Sequence, residues 1–415
     1  MQNNKLQIAL IGCGGMGQGD AANETRLGAK LVAAADIYDG RLTRMKETYG
    51  ASIFTSRDYR EVLARPDVDA VLVATPDHWH ARICIDALNA GKHVYCQKPM
   101  VQKPEDGHAV IEAWRKSGKV FQVGSQYVSS PIYIKAKELI AQGAIGELNM
   151  VEAWLDRNTA LGAWQYSIPP DASLQNIDWD RFLGNAPKHA FAPIRLFRWR
   201  NYRDYGTGLA GDLYVHLLSG LHLATNSLGP TRMYATGGVR FWNDGRDVPD
   251  VMLATLDYPQ SKEHAAFTLA LRVNFASSEP QERFGFRFVG SEGTMTTSYN
   301  TLILSKTPRE REPGMSINTF PAKMQADYVR EYQTKYPPRP AIAELDNDDQ
   351  KFTMRADAHL EHHRNFQASI LQGAKQIEDP IFGLRAAGPA LLCNESIYSQ
   401  QIQHWDPVAM RVTQG

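Results

Sequence analysis

Three glycines carry the first chemistry. Ile11-Gly12-Cys13-Gly14-Gly15-Met16-Gly17 holds G-x-G-x-x-G at Gly12, Gly14 and Gly17. The first glycine permits a tight turn, the second lets backbone approach a pyrophosphate, and the third lets helix and strand pack closely. Gly15 and Met16 fill the same loop, where unpaired N–H groups at a positively polarised helix start suit phosphate oxygens. Asp36 lies about 20 residues on, where a carboxylate accepts hydrogen bonds from ribose hydroxyls. Its charge opposes a 2′-phosphate, so NAD(H) is expected over NADP(H). Arg41 would soften that preference by pairing with such a phosphate.

A second group suits proton transfer. Asp212 and His216 stand four apart in Gly211-Asp212-Leu213-Tyr214-Val215-His216, hence on one face if the segment is helical. Hydride removal from a carbinol needs a base for the hydroxyl proton, and imidazole titrates near working pH. His216 is the candidate base, with Asp212 orienting substrate hydroxyls or the imidazole; the competing reading is a capping carboxylate and a satisfied core histidine. Lys98 follows an expected strand, and the carboxyl end of a strand is where an open α/β sheet puts its ligand crevice. An ammonium there can hydrogen-bond the reacting oxygen and favour its developing negative charge.

Arg157, Trp164, Arg200 and Tyr205, with Arg198 and Trp199, precede Asp212 and offer the aromatic faces and guanidinium forks that suit sugar rings. Tyr127 is a further candidate substrate contact or acid. His359, His362 and His363 invite a zinc reading, but no H-E-x-x-H is present, and no metal site is expected.

The elements must place these groups. Strands are predicted at Leu6–Ile11, Leu31–Ala35, Ser52–Thr55, Ala70–Ala74, His93–Cys96 and Val120–Val123, alternating with helices at Met16–Leu27, Arg41–Tyr49, Tyr59–Ala64, His80–Ala90 and Glu105–Lys116. Such alternation implies right-handed crossovers and a doubly wound parallel sheet. Residues 1–125 are therefore expected to form a Rossmann domain, and 126–415 an α+β substrate and oligomerisation domain. After a helix at Pro131–Gln142, strands are expected at Glu147–Arg157, Arg232–Val239, Val251–Tyr258, Ala265–Phe275, Arg283–Val289 and Thr294–Leu304, forming a large open, mostly antiparallel sheet. Gly290-Ser291-Glu292-Gly293 reads as a hairpin connection. Lys306–Gln350 is expected to be a long polar arm, and helices at Ala358–Leu371 and Leu384–Gln400 to close the chain.

Lys and Arg number 45, as do Asp and Glu, so no bulk field attracts nucleic acid or an anionic membrane. Four scattered cysteines form no C-x-x-C pair, which fits a reducing compartment. No apolar run approaches the ~20 residues of a membrane span. The first strand begins almost at once, so a cytoplasmic location is expected, or a periplasmic one had a leader been removed.

In order and combination, the glycine loop, Thr75-Pro76-Asp77-His78-Trp79-His80, Gln97-Lys98-Pro99, the Asp212 motif and His363-Arg364-Asn365-Phe366 resemble the Gfo/Idh/MocA family. The resemblance implies a Rossmann domain plus an open-faced sheet domain that often mediates homodimers or homotetramers, and sugar or cyclitol substrates. It implies that Lys98 is the catalytic lysine, with a cis bond to Pro99, and that Thr75, Pro76, His78, His80, Gln97 and Gln126 line the cofactor; His80 reads equally well as a packing residue at a helix start. Gln97 replaces the family's Glu, which would deprive Lys98 of a neighbouring anion. The leading function is an NAD-dependent dehydrogenase of a sugar, glycoside or cyclitol. The alternative is an NAD-dependent glycosidase that works by transient oxidation and elimination; a third reading is a cofactor-sensing protein without turnover.

Overall fold

In a computed structural model that describes residues 5–307, 315–337 and 350–414, six short parallel strands build the first sheet. They are β1 (Gln7–Ile11), β2 (Lys30–Ala35), β3 (Phe54–Ser56), β4 (Ala70–Val73), β5 (His93–Cys96) and β6 (Phe121–Val123), in the order β3-β2-β1-β4-β5-β6. Nearly every residue of β1, β2 and β4 is buried, as a sheet covered on both faces requires. The strand order reverses between β1 and β4, so their carboxyl ends diverge and leave the crevice that a doubly wound sheet offers a ligand.

The second sheet has ten strands: β7 (Leu148–Asp156), β8 (Arg232–Gly238), β9 (Val251–Tyr258), β10 (Phe267–Asn274), β11 (Arg283–Gly290), β12 (Gly293–Thr297), β13 (Thr301–Lys306), β14 (Gln350–Thr353), β15 (Gln403–Asp406) and β16 (Arg411–Thr413). Their order is β14-β13-β12-β11-β7-β10-β9-β8-β15-β16. All neighbours run antiparallel except β7 and β10. Alternation sets its faces: Met252, Ala254, Leu256 and Tyr258 of β9 join the core, while Leu253 and Thr255 point outward. Helices Pro131–Ala141, Val215–Thr225 and Pro380–Ser399 cover the inner face. The open face is mixed: Tyr234 and Leu253 are exposed there among Arg232, Asp257, Thr268 and Arg272.

Several expectations need correction. Thr294–Leu304 is two strands, because the chain turns at Ser298, whose N–H bonds the Thr301 carbonyl at 2.8 Å. The polar stretch expected as an arm contains a helix, Ala322–Lys335, with no buried residue; 308–314 and 338–349 lie outside the described residues. The last helix is not the end of the chain, since β15 and β16 pair after it.

The largest difference concerns helix Ala358–Gln372. It packs on helix Gly15–Arg26, and its Phe366 sits in one core with Ile8, Leu10 and Leu72. The free edge of β6 is also closed by late residues, with Val123 N–H donating to the Glu378 carbonyl and Phe121 N–H to Gln376 Oε1, both at 2.9 Å. The late chain thus completes the first core and blunts an edge that would otherwise stay unpaired. Among the described residues no helix is long and apolar enough to cross a membrane.

Candidate active site

A cleft of about 750 Å³ opens at the carboxyl ends of β1, β2 and β4. Gly12, Gly14, Gly15, Met16, Asp36, Arg41, Thr75 and Pro76 line one side, and Arg157, Tyr166, Trp199, Arg200 and Glu282 line the other. Backbone contact dictates Gly12 and Gly17. Gly12 has φ +93°, and a Cβ there would come within 2.6 Å of the Ala74 carbonyl. A Cβ on Gly17 would lie 2.2 Å from Gly12 O. Helix Gly15–Arg26 starts at Gly14 with no side-chain cap, so its first amides remain free for an anion.

Asp36 is held rigidly at the end of β2. Its carboxylate accepts from Cys13 N–H at 2.7 Å and Tyr38 N–H at 3.0 Å. Arg41 Nη1 stands 3.5 Å from Asp36 Oδ2. Thr75 Oγ1, in the cleft wall, is buried without a protein partner, which is what a hydroxyl awaiting a ligand looks like. Glycine turn, open helix start, fixed acid and orphaned hydroxyl together fit a dinucleotide.

Beyond this wall, Lys98 reaches from the end of β5 into the second domain. Its Nζ donates to Asp212 Oδ1 at 2.5 Å and to the Asp212 carbonyl at 2.9 Å. Arg200, from the cleft, donates through Nε to the same Oδ1 at 3.1 Å. Burial pushes the Asp212 carboxyl up, but Lys98, Arg200 and Arg157 outweigh it and hold it well below the usual carboxylate range. Burial lowers the Lys98 ammonium; Asp212 opposes and Arg200 reinforces that shift, leaving it below an ordinary lysine. The Lys98–Pro99 bond is cis. Asp212 stands in a π-helical turn, Ala210–Tyr214, that runs into helix Val215–Thr225 carrying His216. Burial and the nearby Lys98 charge hold the His216 imidazole well below its ordinary value, so it is neutral; its Nδ1 has no protein partner. Tyr127 packs edge-on against it at 4.9 Å.

Comparison with known proteins decides the family. The N-terminal model of an oxidoreductase family, an NAD-binding Rossmann fold, matches residues 6–125, and that family's C-terminal alpha/beta model matches 137–397. The chain belongs to the Gfo/Idh/MocA oxidoreductase family. Inositol 2-dehydrogenase of Rubrobacter xylanophilus is 31% identical over 186 residues, 44% of this chain and 53% of that protein. Levoglucosan dehydrogenase of Pseudarthrobacter phenanthrenivorans is 32% identical over 165 residues, 40% and 35% of the two chains. The match to these curated relatives thus spans about half of their length or less. Two solved structures share the fold. Levoglucosan dehydrogenase in complex with NADH and L-sorbose has a TM-score of 0.70 at 17% identity, covering 98% of this chain and 100% of that one. An NAD binding oxidoreductase from Klebsiella pneumoniae has a TM-score of 0.66 at 20% identity, covering 96% and 98%.

In this Gfo/Idh/MocA chain the remaining expected residues divide. Arg157 and Arg200 line the cleft, Arg157 paired with Glu282. Trp164 and Tyr205 do not: both are fully buried, Trp164 against Phe275 and Tyr205 against His78 and Phe182. Their apolar bulk serves packing better than a wet site. His78 and His80 also differ from expectation, because carbonyl oxygens engage all four ring nitrogens. His78 faces those of Phe182 and Tyr205 at 2.9 and 3.3 Å. His80 faces Pro99 and Thr75 at 2.7 and 2.9 Å, and so braces the turn behind Lys98 rather than offering a free nitrogen.

Gln126 Oε1 is buried without a protein partner, available to a ligand amide. Gln97 turns away from Lys98 and donates through Nε2 to both oxygens of buried Asp20, at 2.9 and 3.1 Å. A glutamate there would set two carboxylates against each other; the amide removes that repulsion. Lys98 does not lack an anion, because Asp212 supplies it. Sequence reading missed Tyr166, Glu282 and Asp20. None lies in a motif, and only packing brings them to their places.

Proposed function

We propose that this protein is an NAD-dependent dehydrogenase that oxidises a hydroxyl of a sugar, glycoside or cyclitol. The Lys98–Asp212 pair carries the reading: one ammonium and one carboxylate from different domains meet at 2.5 Å, one helical turn before a neutral imidazole. Gly12, Gly14 and Gly15 would hold the pyrophosphate, Asp36 the adenosine ribose, and Thr75 and Gln126 polar groups nearer the nicotinamide. When bound, NAD supplies the two-electron acceptor for the hydride that leaves the carbinol carbon.

The chain's own groups handle the proton. Lys98 hydrogen-bonds the carbinol oxygen and stabilises the negative charge that grows as its O–H bond weakens. His216, neutral, takes that proton. Asp212 keeps Lys98 charged and aimed, and Arg157, Arg200 and Trp199 form a rim suited to a ring bearing hydroxyls. Tyr127 keeps its phenolic proton, since burial and Glu282 both push its titration up. Homodimerisation or tetramerisation would cover Tyr234 and Leu253 on the open sheet face, which light scattering would read.

The test is incubation with NAD⁺ and a panel of sugars, glycosides and cyclitols, following NADH and products together. Net NADH with one oxidised product is the expected result. Glycoside cleavage without net NADH would replace this reading with oxidation and elimination. Tight NAD(H) binding with no turnover across the panel would leave a sensing role.

A further inference from the structure

Behind the cleft, the helix that binds the pyrophosphate meets the late helix Ala358–Gln372 through a group of side chains the dehydrogenase chemistry does not use. Asp20 and His363 are fully buried there, and the His359 side chain is 24% exposed. His359 Nε2 lies 2.8 Å from Asp20 Oδ1, His363 Nε2 lies 3.2 Å from the same oxygen, and the two Nε2 atoms are 3.2 Å apart. Two imidazole nitrogens and one carboxylate oxygen therefore lie within 3.2 Å of one another.

We infer that Asp20, His359 and His363 form a binding site for a borderline divalent metal ion, with Zn²⁺ the preferred occupant. Zinc binds nitrogen and oxygen ligands at about 2.0–2.2 Å, and tetrahedral ligands then stand about 3.3 Å from one another. Two of the three separations, at 3.2 Å, match that spacing, and the third, at 2.8 Å, is about half an ångström shorter. An ion at bonding distance from all three atoms would sit only about 1 Å off their plane. His359 and His363 are one turn apart on one helix face, the spacing that lets two histidines share an ion.

The surroundings supply the outer partners that a metal site needs. His363 Nδ1 is 2.8 Å from Glu24 Oε1, and Gln367 Nε2 donates to the other Glu24 oxygen at 2.6 Å. A carboxylate on the far nitrogen of a ligating histidine fixes its tautomer and raises its basicity. Gln97 donates to both Asp20 oxygens, and the Tyr95 ring stacks on His363 with centroids 4.3 Å apart. Both rotations are thereby locked.

Entry is through the exposed edge of His359, where Gly19 stands against the ring: a Cβ at Gly19 would lie 3.8 Å from His359 Cε1. A tetrahedral ion would take its fourth ligand, a water, from that side. The three open positions of a two-histidine, one-carboxylate iron centre are not there, because Asp20 and His363 are sealed on their other sides. Nitrogen ligands disfavour Mg²⁺ and Ca²⁺. A bound ion would clamp the late helix to the helix that holds the cofactor, through the carboxylate that also anchors Gln97 beside Lys98.

The test strips the full-length protein with a chelator, then titrates it with Zn²⁺ and with Mg²⁺, reading metal content, thermal unfolding and, with Co²⁺, the visible spectrum. We expect one zinc per chain retained through gel filtration, a Tm raised by Zn²⁺ and not by Mg²⁺, and intense four-coordinate Co²⁺ bands. His359→Ala, at the partly exposed position, should weaken zinc binding by more than about tenfold while its circular dichroism stays that of the parent. Asp20→Asn should remove the Co²⁺ bands. Failure of the parent to retain zinc, or equal retention by parent and His359→Ala, would overturn the site. These readouts do not depend on dehydrogenase turnover, so they stand apart from the test of the proposed activity.

Discussion

Against the glycine turn, where main-chain atoms would stand 2.6 Å from a Cβ at Gly12 and 2.2 Å from one at Gly17, stands the Lys98 floor, where side chains from positions 98, 200 and 212 meet one helical turn before His216. The first region gets its chemistry from backbone geometry over a short stretch of chain; amides and a tight turn bind phosphate whatever the neighbouring side chains are. The second gets it from charges desolvated together, each shifting the others. A substitution at the turn should therefore act through cofactor affinity, and one at the floor through the chemical step.

The sharpest separation of the two is Lys98→Ala. Loss of the ammonium should lower kcat about a thousandfold, while the NADH dissociation constant, by fluorescence titration, stays within about threefold. An equal loss in NADH affinity would merge the two regions. His216→Ala should cost about a hundredfold in kcat. Its imidazole must be neutral to accept a proton, and burial with Lys98 depresses its titration. The acid limb of kcat/KM in the parent should therefore lie below histidine's ordinary 6.5, and a limb that persists unchanged in His216→Ala would reject His216 as base.

His80 links the regions, since it ties Thr75 of the cofactor wall to Pro99 beside Lys98. Both nitrogens face carbonyl acceptors, an arrangement that favours the imidazolium form. Burial opposes that charge, but Cys96, Asp77 and the Pro99 carbonyl outweigh it and raise its titration to about 9. A folded value above the unfolded one stabilises fully below pH 6.5 and ceases to do so as pH rises through about 9. His80→Gln should therefore cost about 2 kcal/mol in urea unfolding below pH 6.5, and much less above pH 9. The smallest effect belongs to the turn. Asp36→Ala should weaken NAD⁺ about tenfold, roughly 1.4 kcal/mol, and narrow its preference over NADP⁺, with kcat nearly unchanged.

Much of the first region could be read without coordinates. The six parallel strands fall within one or two residues of their predicted bounds, and His93–Cys96 and Val251–Tyr258 coincide with theirs. Period-two and helical patterns are local properties, and burial on one or both faces writes them into the chain. The Asp212–His216 spacing reads as one α-helical face, whereas the turn that carries Asp212 is π-helical and only His216 lies in the α-helix. Trp164 and Tyr205 are packed away from the cleft lining, a difference the sequence does not show because an aromatic side chain looks alike whether it faces a sugar or a packed wall.

The sequence by itself determined the nucleotide-binding half, because a glycine turn, a following helix and an acid after the next strand act through near neighbours and backbone alone. Only the tertiary structure decided that Lys98 meets Asp212 and Arg200, that Gln97 serves Asp20, and that Asp20 meets His359 and His363 across an interval of 339 residues. Pairing between buried charges depends on which faces pack together. No local pattern records that, since loop closure over such distances costs little more than over short ones and leaves no mark in the intervening residues.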